Sequence, residues 1–218
     1  MQIDLVRGAV TTPYELRPSK IIGIGVNYRA HAVEMGKGLP EQPLMFLKPP
    51  SALIAAGQPI ERPDGYERVD FEGELGVVIG QRARRIPRER ALEVVLGYTC
   101  VNDVTVRDLQ KRDGQWARAK GFDTFCPLGP RIVAGLDPRA LRITTKVNGA
   151  IRQDSTTADL IFDVATLIAF CSEHMTLEVG DMISTGTPAG VGNLAPGDEV
   201  EVEVEGVGAL RSPVIARS

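Results

Sequence analysis

Two glutamates one residue apart, Glu72 and Glu74, open the run Phe71-Glu72-Gly73-Glu74-Leu75-Gly76-Val77-Val78-Ile79-Gly80. On a strand, side chains two apart share a face, and the Val-Val-Ile continuation predicts a strand buried on both faces. Two carboxylates side by side at the mouth of such a strand repel and lose water. That state is costly unless something positive lies between them. A divalent cation is the simplest answer. Asp103 offers a third oxygen ligand at the end of another apolar run, Tyr98-Thr99-Cys100-Val101-Asn102. An all-carboxylate set suits a hard ion, Mg2+, Mn2+ or Ca2+, better than zinc or copper. The plainer alternatives are a solvent-facing edge strand for the glutamates and a helix N-cap for Asp103. A control lies within the chain: Glu199, Glu201, Glu203 and Glu205 alternate with Val200, Val202 and Val204. That segment predicts an amphipathic strand with one wet face and no chemistry.

His31 and Glu34 lie three apart, a spacing that puts both on one face of a helix. A carboxylate can orient a histidine and raise its basicity, leaving the other ring nitrogen to take a proton from water. The plainer reading is a solvated surface pair. Gly36, Lys37 and Gly38 follow at once, so this helix borders a flexible segment and suits a lid. Lys120, followed by glycine and aromatics, is a candidate half-buried proton donor with a lowered pKa, although composition alone favours an exposed lysine. Arg107 and Gln110 lie one helical turn apart just after Asp103, placed to bind an acidic substrate or simply to face solvent. The loop Ser184-Thr185-Gly186-Thr187-Pro188-Ala189-Gly190-Val191-Gly192 lacks a Gly-Lys-Ser/Thr ending, so a Walker A loop is excluded. A loop that brings backbone and the Thr187 hydroxyl close to a small ligand fits better. His174, near a predicted helix end, reads as capping or packing.

The elements that must hold these groups are mostly strands. Lys20 to Val26, Leu44 to Leu47, Glu72 to Ile79, Tyr98 to Asn102, Met182 to Thr185, Glu199 to Glu205 and Ala209 to Ile215 all have strand character. Leu141 to Val147, Asn148-Gly149 and Ile151 onward form a hairpin signal with a type I′ turn. Helices are expected over Arg88 to Val95, over Val104 to Lys111 with Asp103 as N-cap, and over Asp163 to His174 with Asp163 as N-cap. The pattern is α+β and β-rich, not the regular alternation of a doubly wound sheet. The 218 residues suffice for a core without staples, and 43% apolar with 24% charged residues is an ordinary globular balance. A net charge of −3 points to no nucleic-acid or anionic-membrane partner. Three cysteines in apolar contexts read as buried thiols in a reducing compartment. With neither a signal peptide nor an apolar run of membrane-spanning length evident, a cytoplasmic protein is expected.

Taken together, the chain resembles the fumarylacetoacetate hydrolase family from about Lys20 to Pro213. The resemblance rests on Gly25-Val26-Asn27-Tyr28 with His31 and Glu34, Phe46-Leu47-Lys48-Pro49, Glu72-x-Glu74-Leu75, Asn102-Asp103 with Arg107 and Gln110, Lys120 with Cys126-Pro127, and Thr185-Gly186-Thr187-Pro188-x-Gly190-Val191-Gly192. It is closest in kind to the short bacterial and acylpyruvase-like members. The resemblance implies a mixed β-roll with a few packed helices, one catalytic domain over residues 1–218 (1–19 being a short N-terminal segment), and a homodimer. It implies Mg2+ or Mn2+ held by Glu72, Glu74 and Asp103. Catalysis would fall to His31, Glu34 and Lys120, and substrate contacts to Arg107, Gln110, Thr187, Asn27 and Tyr28. The implied substrate is an acylpyruvate or 2-oxo dicarboxylate, cleaved at a carbon–carbon bond through an enolate. Alternatives on the same site are 2-hydroxyhepta-2,4-diene-1,7-dioate isomerisation, decarboxylation of 5-oxopent-3-ene-1,2,5-tricarboxylate or oxaloacetate, and oxaloacetate tautomerisation. A 2-oxo-acid-binding protein without catalysis is the non-enzyme alternative.

Overall fold

The strand from Gly73 to Ile79 is buried along its whole length. Alternation divides it between two cores: Leu75, Val77 and Ile79 join one apolar cluster, and Val78 joins another with Ile3, Leu5 and Leu128. The structure is a computed structural model that describes residues 1–36 and 38–217.

Among the described residues the strands form three sheets. The largest has nine strands. Its path runs Val10–Glu15, Gln2–Arg7, Cys126–Val133, Val95–Asn102, Gly73–Ile79, Met182–Ser184, Ile21–Gly25 and Leu44–Lys48, with Leu53–Ala55 also paired to Cys126–Val133. A five-stranded sheet runs Ala150–Thr156, Arg142–Val147, Glu199–Val204, Gly208–Ala216 and Ile60–Arg62. The third is a small sheet of Thr105–Val106, Val69–Phe71 and Gly192–Asn193. Four α-helices are described: α1 (Arg29–Glu34), α2 (Arg107–Asp113), α3 (Ala117–Lys120) and α4 (Val164–His174). The architecture is the β-rich α+β mixture that the sequence predicts.

Local chemistry accounts for several boundaries. Asn148 and Gly149 turn the hairpin with φ of 52° and 78°, the paired positive values of a type I′ turn. The Asp163 carboxylate accepts the Thr166 amide at 2.8 Å and starts α4. That helix packs Leu167, Ile168 and Cys171 against Leu75, Val77 and Ile79. Val200, Val202 and Val204 are buried while their glutamate neighbours line the wet face, where Glu201 accepts from Lys146 and Arg211. The Arg88 segment is a 3-10 turn, Arg88–Val94, instead of an α-helix.

One expectation fails at the start of α2. Asp103 does not cap a helix beginning at Val104. Thr105–Val106 is instead a strand, and α2 begins at Arg107 with no side-chain cap. The Asp103 oxygens are taken by lysines, so they are not available to orphan amides.

A buried carboxylate fastens the stretch between the N-terminal hairpin and the strand Ile21–Gly25. Asp181 is fully buried. Its Oδ1 accepts the Ser19 amide at 2.9 Å, the Ser19 hydroxyl at 2.7 Å and the Lys20 amide at 3.1 Å. Its Oδ2 accepts the Glu178 amide at 2.8 Å and pairs with the Lys20 ammonium. Burial pushes this carboxyl up, but the Lys20 ammonium and the amide and hydroxyl donors hold it below the usual carboxylate range. A depressed pKa stabilises the fold above the unfolded value near 4, and that contribution is lost as pH falls through the folded pKa. Replacing Asp181 by Asn leaves the half-buried Lys20 ammonium without its counter-charge and one donor facing the buried amide without an acceptor of full charge. The expected loss is about 2–4 kcal/mol, read as a lower melting temperature at pH 7 in calorimetry. The gap between wild type and variant should narrow as pH drops below 4.

Candidate active site

The three acidic residues meet where the chain changes sheet. Val69–Phe71 belongs to the small sheet and Gly73–Ile79 to the large one, so Glu72 occupies the break between them. The neighbouring chain makes the same change: Val95–Asn102 lies in the large sheet and Thr105–Val106 in the small one, with Asp103 between. Two bonds hold the crossing. The Glu72 amide donates to Asn102 Oδ1 at 2.9 Å, and the Asp103 amide donates to the Glu72 carbonyl at 2.8 Å. Glu74, two residues on, brings its carboxylate to the same place. Carboxylate oxygens of Glu72, Glu74 and Asp103 all lie within 4.8 Å of one another, and all three side chains are buried.

Each carboxylate has different company. Glu72 accepts from Arg107 Nη2 at 2.5 Å and Lys120 Nζ at 2.8 Å. Asp103 accepts from Lys48 Nζ at 2.5 Å on Oδ1 and from Lys120 Nζ at 2.5 Å on Oδ2. Among the described residues Glu74 has only neutral donors, the Ser184 hydroxyl at 2.6 Å and the Gly186 amide at 2.8 Å, both on Oε2. The consequences diverge. Burial pushes the Glu72 carboxyl up, but Arg107 and Lys120 hold it far below the usual range. Glu74 is pushed well above that range by burial and by the negative charges of Asp103 and Glu72. Glu74 is thus the group with most to gain from an added cation.

Lys120 departs from the sequence expectation. It is buried, 2% exposed, yet its pKa is raised, not lowered. Burial pulls the ammonium down, and the Asp103 and Glu72 carboxylates outweigh it. Lys120 stands as a fixed cation that also donates to Thr105 Oγ1 at 2.8 Å.

His31 and Glu34 sit on α1, which closes over this centre. His31 is 4% exposed, and its Nδ1 lies 2.8 Å from Glu34 Oε2. An ionised carboxylate only accepts, so Nδ1 donates in this pair, and in the neutral ring Nε2 would keep the lone pair. Glu34 Oε1 in turn accepts the Gly190 amide at 3.0 Å, joining the helix to the glycine-rich loop. Gly190 has φ +101°, and a Cβ there would lie 2.1 Å from the Arg152 carbonyl oxygen, so only glycine lets the loop reach Glu34. Lys37, expected in the lid hinge, lies outside the described residues. The enclosed inner chamber is lined by His31, Glu72, Glu74, Arg107, Gln110, Lys120 and Thr187 and has room of about 20 Å3, enough for one water-sized body.

Two expected substrate contacts are placed elsewhere. Asn27 donates to the Phe162 and Thr185 carbonyls and accepts the Phe162 amide, at 2.7–3.0 Å. Its polar atoms are committed to the scaffold beneath α1. Tyr28 belongs to the main apolar cluster, and burial, then the charges of Glu74 and Asp159, keep it a neutral phenol. Neither lines the inner chamber.

The structure adds residues that the sequence reading missed. Lys48 ends an apolar edge strand, a position where a lysine is out of pattern. Asp70, fully buried, accepts Arg107 Nε at 2.8 Å. Gln153 reaches across from the five-stranded sheet: its Oε1 accepts the Gly73 amide at 3.0 Å, and its Nε2 donates to Thr187 Oγ1 at 2.7 Å and the Pro188 carbonyl at 2.8 Å. The Thr187 hydroxyl donates to the Gly73 carbonyl at 2.9 Å and closes the ring. Gly73 itself has no space for a side chain, since a Cβ would stand 2.0 Å from Thr145 Oγ1.

Comparison with known proteins identifies the family. A family model described as fumarylacetoacetate (FAA) hydrolase C-terminal matches residues 20–215. The oxaloacetate tautomerase of Bacillus subtilis is 43% identical over 91% of this chain and 70% of its own. The solved 5-carboxymethyl-2-hydroxymuconate delta-isomerase of Mycobacterium smegmatis is 51% identical, with a TM-score of 0.87 over 92% of this chain and 80% of that one. The fumarylpyruvate hydrolase of Pseudomonas aeruginosa, solved with Mn2+ and pyruvate, is 33% identical, with a TM-score of 0.90 over 99% of this chain and 97% of that one. With its carboxylate centre and a match running through nearly the whole sequence, this chain belongs to the fumarylacetoacetate hydrolase family.

Proposed function

We propose that this protein is a Mg2+- or Mn2+-dependent hydrolase that cleaves a carbon–carbon bond in 2,4-dioxo acids of the acylpyruvate or fumarylpyruvate type. The observation that carries the reading is the buried Glu72–Glu74–Asp103 group with the His31–Glu34 pair closed over it. The donor set fits a hard divalent ion, because the three grouped ligands among the described residues are all carboxylates. Bound there, the ion would supply Lewis-acid polarisation and a template for the 2-oxo acid group.

The chain's own groups do the rest. Glu34 fixes the His31 tautomer, so that Nε2 takes a proton from water. The water oxygen bonds to the C4 carbonyl carbon, the C3–C4 bond breaks, and C3 receives a proton as pyruvate leaves. The Lys120 ammonium, held charged by two carboxylates, would offset negative charge as it develops and donate that proton. Asp70 and Gln110 orient Arg107 toward Glu72. The lid excludes water other than the one that reacts.

A second reading draws on the named relatives. The isomerase and the tautomerase are 51% and 43% identical to this chain, against 33% for the hydrolase. Isomerisation, tautomerisation or decarboxylation of a 2-oxo acid uses the same ion and proton donors without an attacking water. Assaying fumarylpyruvate, oxaloacetate and 2-hydroxyhepta-2,4-diene-1,7-dioate side by side separates the readings; pyruvate release from the first marks the hydrolase. A homodimer is the assembly this reading expects, and the exposed Leu44 and Leu47 on the edge strand Leu44–Lys48 support it.

Removing divalent ions with a chelator should abolish turnover, and Mn2+ should restore it. At a hundred times its dissociation constant the ion should stabilise the fold by about 2.7 kcal/mol, read as a rise in melting temperature that Glu74→Gln removes. His31→Asn should lower kcat by about 100-fold or more if His31 is the base, with Mn2+ affinity unchanged in calorimetry. Full turnover in that variant assigns the base elsewhere.

A further inference from the structure

The Lys120 ammonium has a second set of neighbours besides its carboxylates. Its Nζ stands over two rings, 4.8 Å from the centre of Phe46 and 5.9 Å from that of Trp116. The rings meet edge to face, 5.4 Å apart with their planes at 63°. They come from different elements. Phe46 lies on the edge strand Leu44–Lys48. Trp116 immediately precedes α3, and its carbonyl accepts the Lys120 amide at 3.0 Å, so Trp116 and Lys120 lie one turn apart.

Two glycines of the strand Ile21–Gly25 make room for this pair. A Cβ at Gly23 would stand 2.1 Å from Phe46 Cζ, and one at Gly25 would stand 2.5 Å from Trp116 Cζ3. Positions two apart share a face of a strand, so Gly23-x-Gly25 is a bare patch on which both rings rest. Neither glycine has a positive φ; close contact alone requires them.

Carboxylates and rings make different claims on the ammonium. Nζ donates to Glu72 at 2.8 Å, to Asp103 at 2.5 Å and to Thr105 Oγ1 at 2.8 Å, which uses its three protons. A divalent ion held by Glu72, Glu74 and Asp103 would take the first two acceptors. It would also repel the ammonium twice as strongly as a single charge at that distance. With Lys120 only 2% exposed, the lost acceptors must be replaced from within the protein. The negative faces of both rings already lie inside the roughly 6 Å over which they attract a cation.

We infer that Phe46 and Trp116, resting on Gly23 and Gly25, form an aromatic seat for the Lys120 ammonium: a divalent cation entering the carboxylate group shifts Lys120 onto the ring faces, which hold it at the chamber wall as proton donor. Phe46 and Trp116 are thus positioning residues that act through Lys120. The inference rests on the proposed reading of the carboxylate group as a metal centre. It adds a device by which the cation that balances the carboxylates without metal becomes the proton donor with it.

Trp116 is the sole tryptophan of the chain, so its fluorescence reads the shift. The probe is Mg2+ alone, which has no unpaired electrons to quench emission, added to chelator-treated protein and followed in parallel by calorimetry. Trp116 emission should change saturably, with the calorimetric midpoint. In Lys120→Met, Mg2+ should still bind, more tightly because the competing cation is gone, and emission should stay constant. Phe46→Leu should weaken Mg2+ binding by about 5- to 30-fold, the range of a desolvated cation–ring contact. The same substitution in the Lys120→Met background should leave Mg2+ affinity unchanged. An equal loss in both backgrounds marks a merely structural role and overturns the seat. So does Mg2+ binding to the wild type at constant emission, a test that needs no variant to fold, and so does an equal emission change in Lys120→Met. If calorimetry detects no Mg2+ binding to the wild type, the metal-centre reading itself fails, and the seat fails with it.

Discussion

Mutual repulsion of three buried carboxylates is the constraint around which this molecule is arranged. At separations within 4.8 Å, two unit charges repel by about 3 kcal/mol or more at an effective dielectric near 20. Three such pairs approach the whole stability of an ordinary domain, about 5–15 kcal/mol. Compensation is therefore obligatory. The fold brings Lys48, Lys120 and Arg107 to the group, each almost fully buried. Even so, among the described residues no cation pairs directly with Glu74, and its raised pKa records the deficit. A divalent ion meets that deficit directly, which is why this cluster reads as a metal centre and the wet-faced glutamates of the strand Glu199–Val204 do not.

The sheet architecture makes the crowding possible. Two adjacent strands leave the large sheet for the small one at the same level, and Glu72 and Asp103 occupy the two break points. Gly73 pairs with Asn102 on one side of the break and Asp70 with Thr105 on the other, a single register that sets Glu72 opposite Asp103 on the face that Glu74 shares. Gln153 then locks the backbone between the glutamates to the Thr187 loop, and that loop holds Glu34 through the Gly190 amide. The strand Gly73–Ile79, the Thr187 loop and α1 are thus connected by hydrogen bonds to one another.

Sequence revealed the groups that share a segment and concealed those that arrive from afar. Glu72 and Glu74 announced themselves by alternation ahead of an apolar run, and His31 and Glu34 by helical spacing. The Asn148-Gly149 hairpin and the Asp163 cap followed from turn and cap chemistry. Lys48 meets Asp103 across 55 residues and Gln153 meets Gly73 across 80; no local pattern encodes either pairing. Asp70 escaped the sequence reading although it stands two residues before Glu72, because its partner Arg107 comes from a helix 37 residues on. Asp103 misled because strand-to-helix aspartates usually cap, whereas here two lysines compete successfully for its oxygens. Lys120 misled for a related reason: burial alone lowers a lysine pKa, and only the folded chain supplies the two carboxylates that reverse the sign. Asn27 and Tyr28 lie beside the lid in sequence, yet their side chains serve the scaffold beneath it.

The central claim is that one divalent cation belongs among Glu72, Glu74 and Asp103. Anomalous diffraction from crystals grown with Mn2+ tests it most directly. The account predicts a single manganese peak within bonding distance of all three carboxylates, with the Lys120 ammonium withdrawn from between Glu72 and Asp103. A map without that peak, in which Lys120 still bridges the two carboxylates at saturating Mn2+, contradicts it.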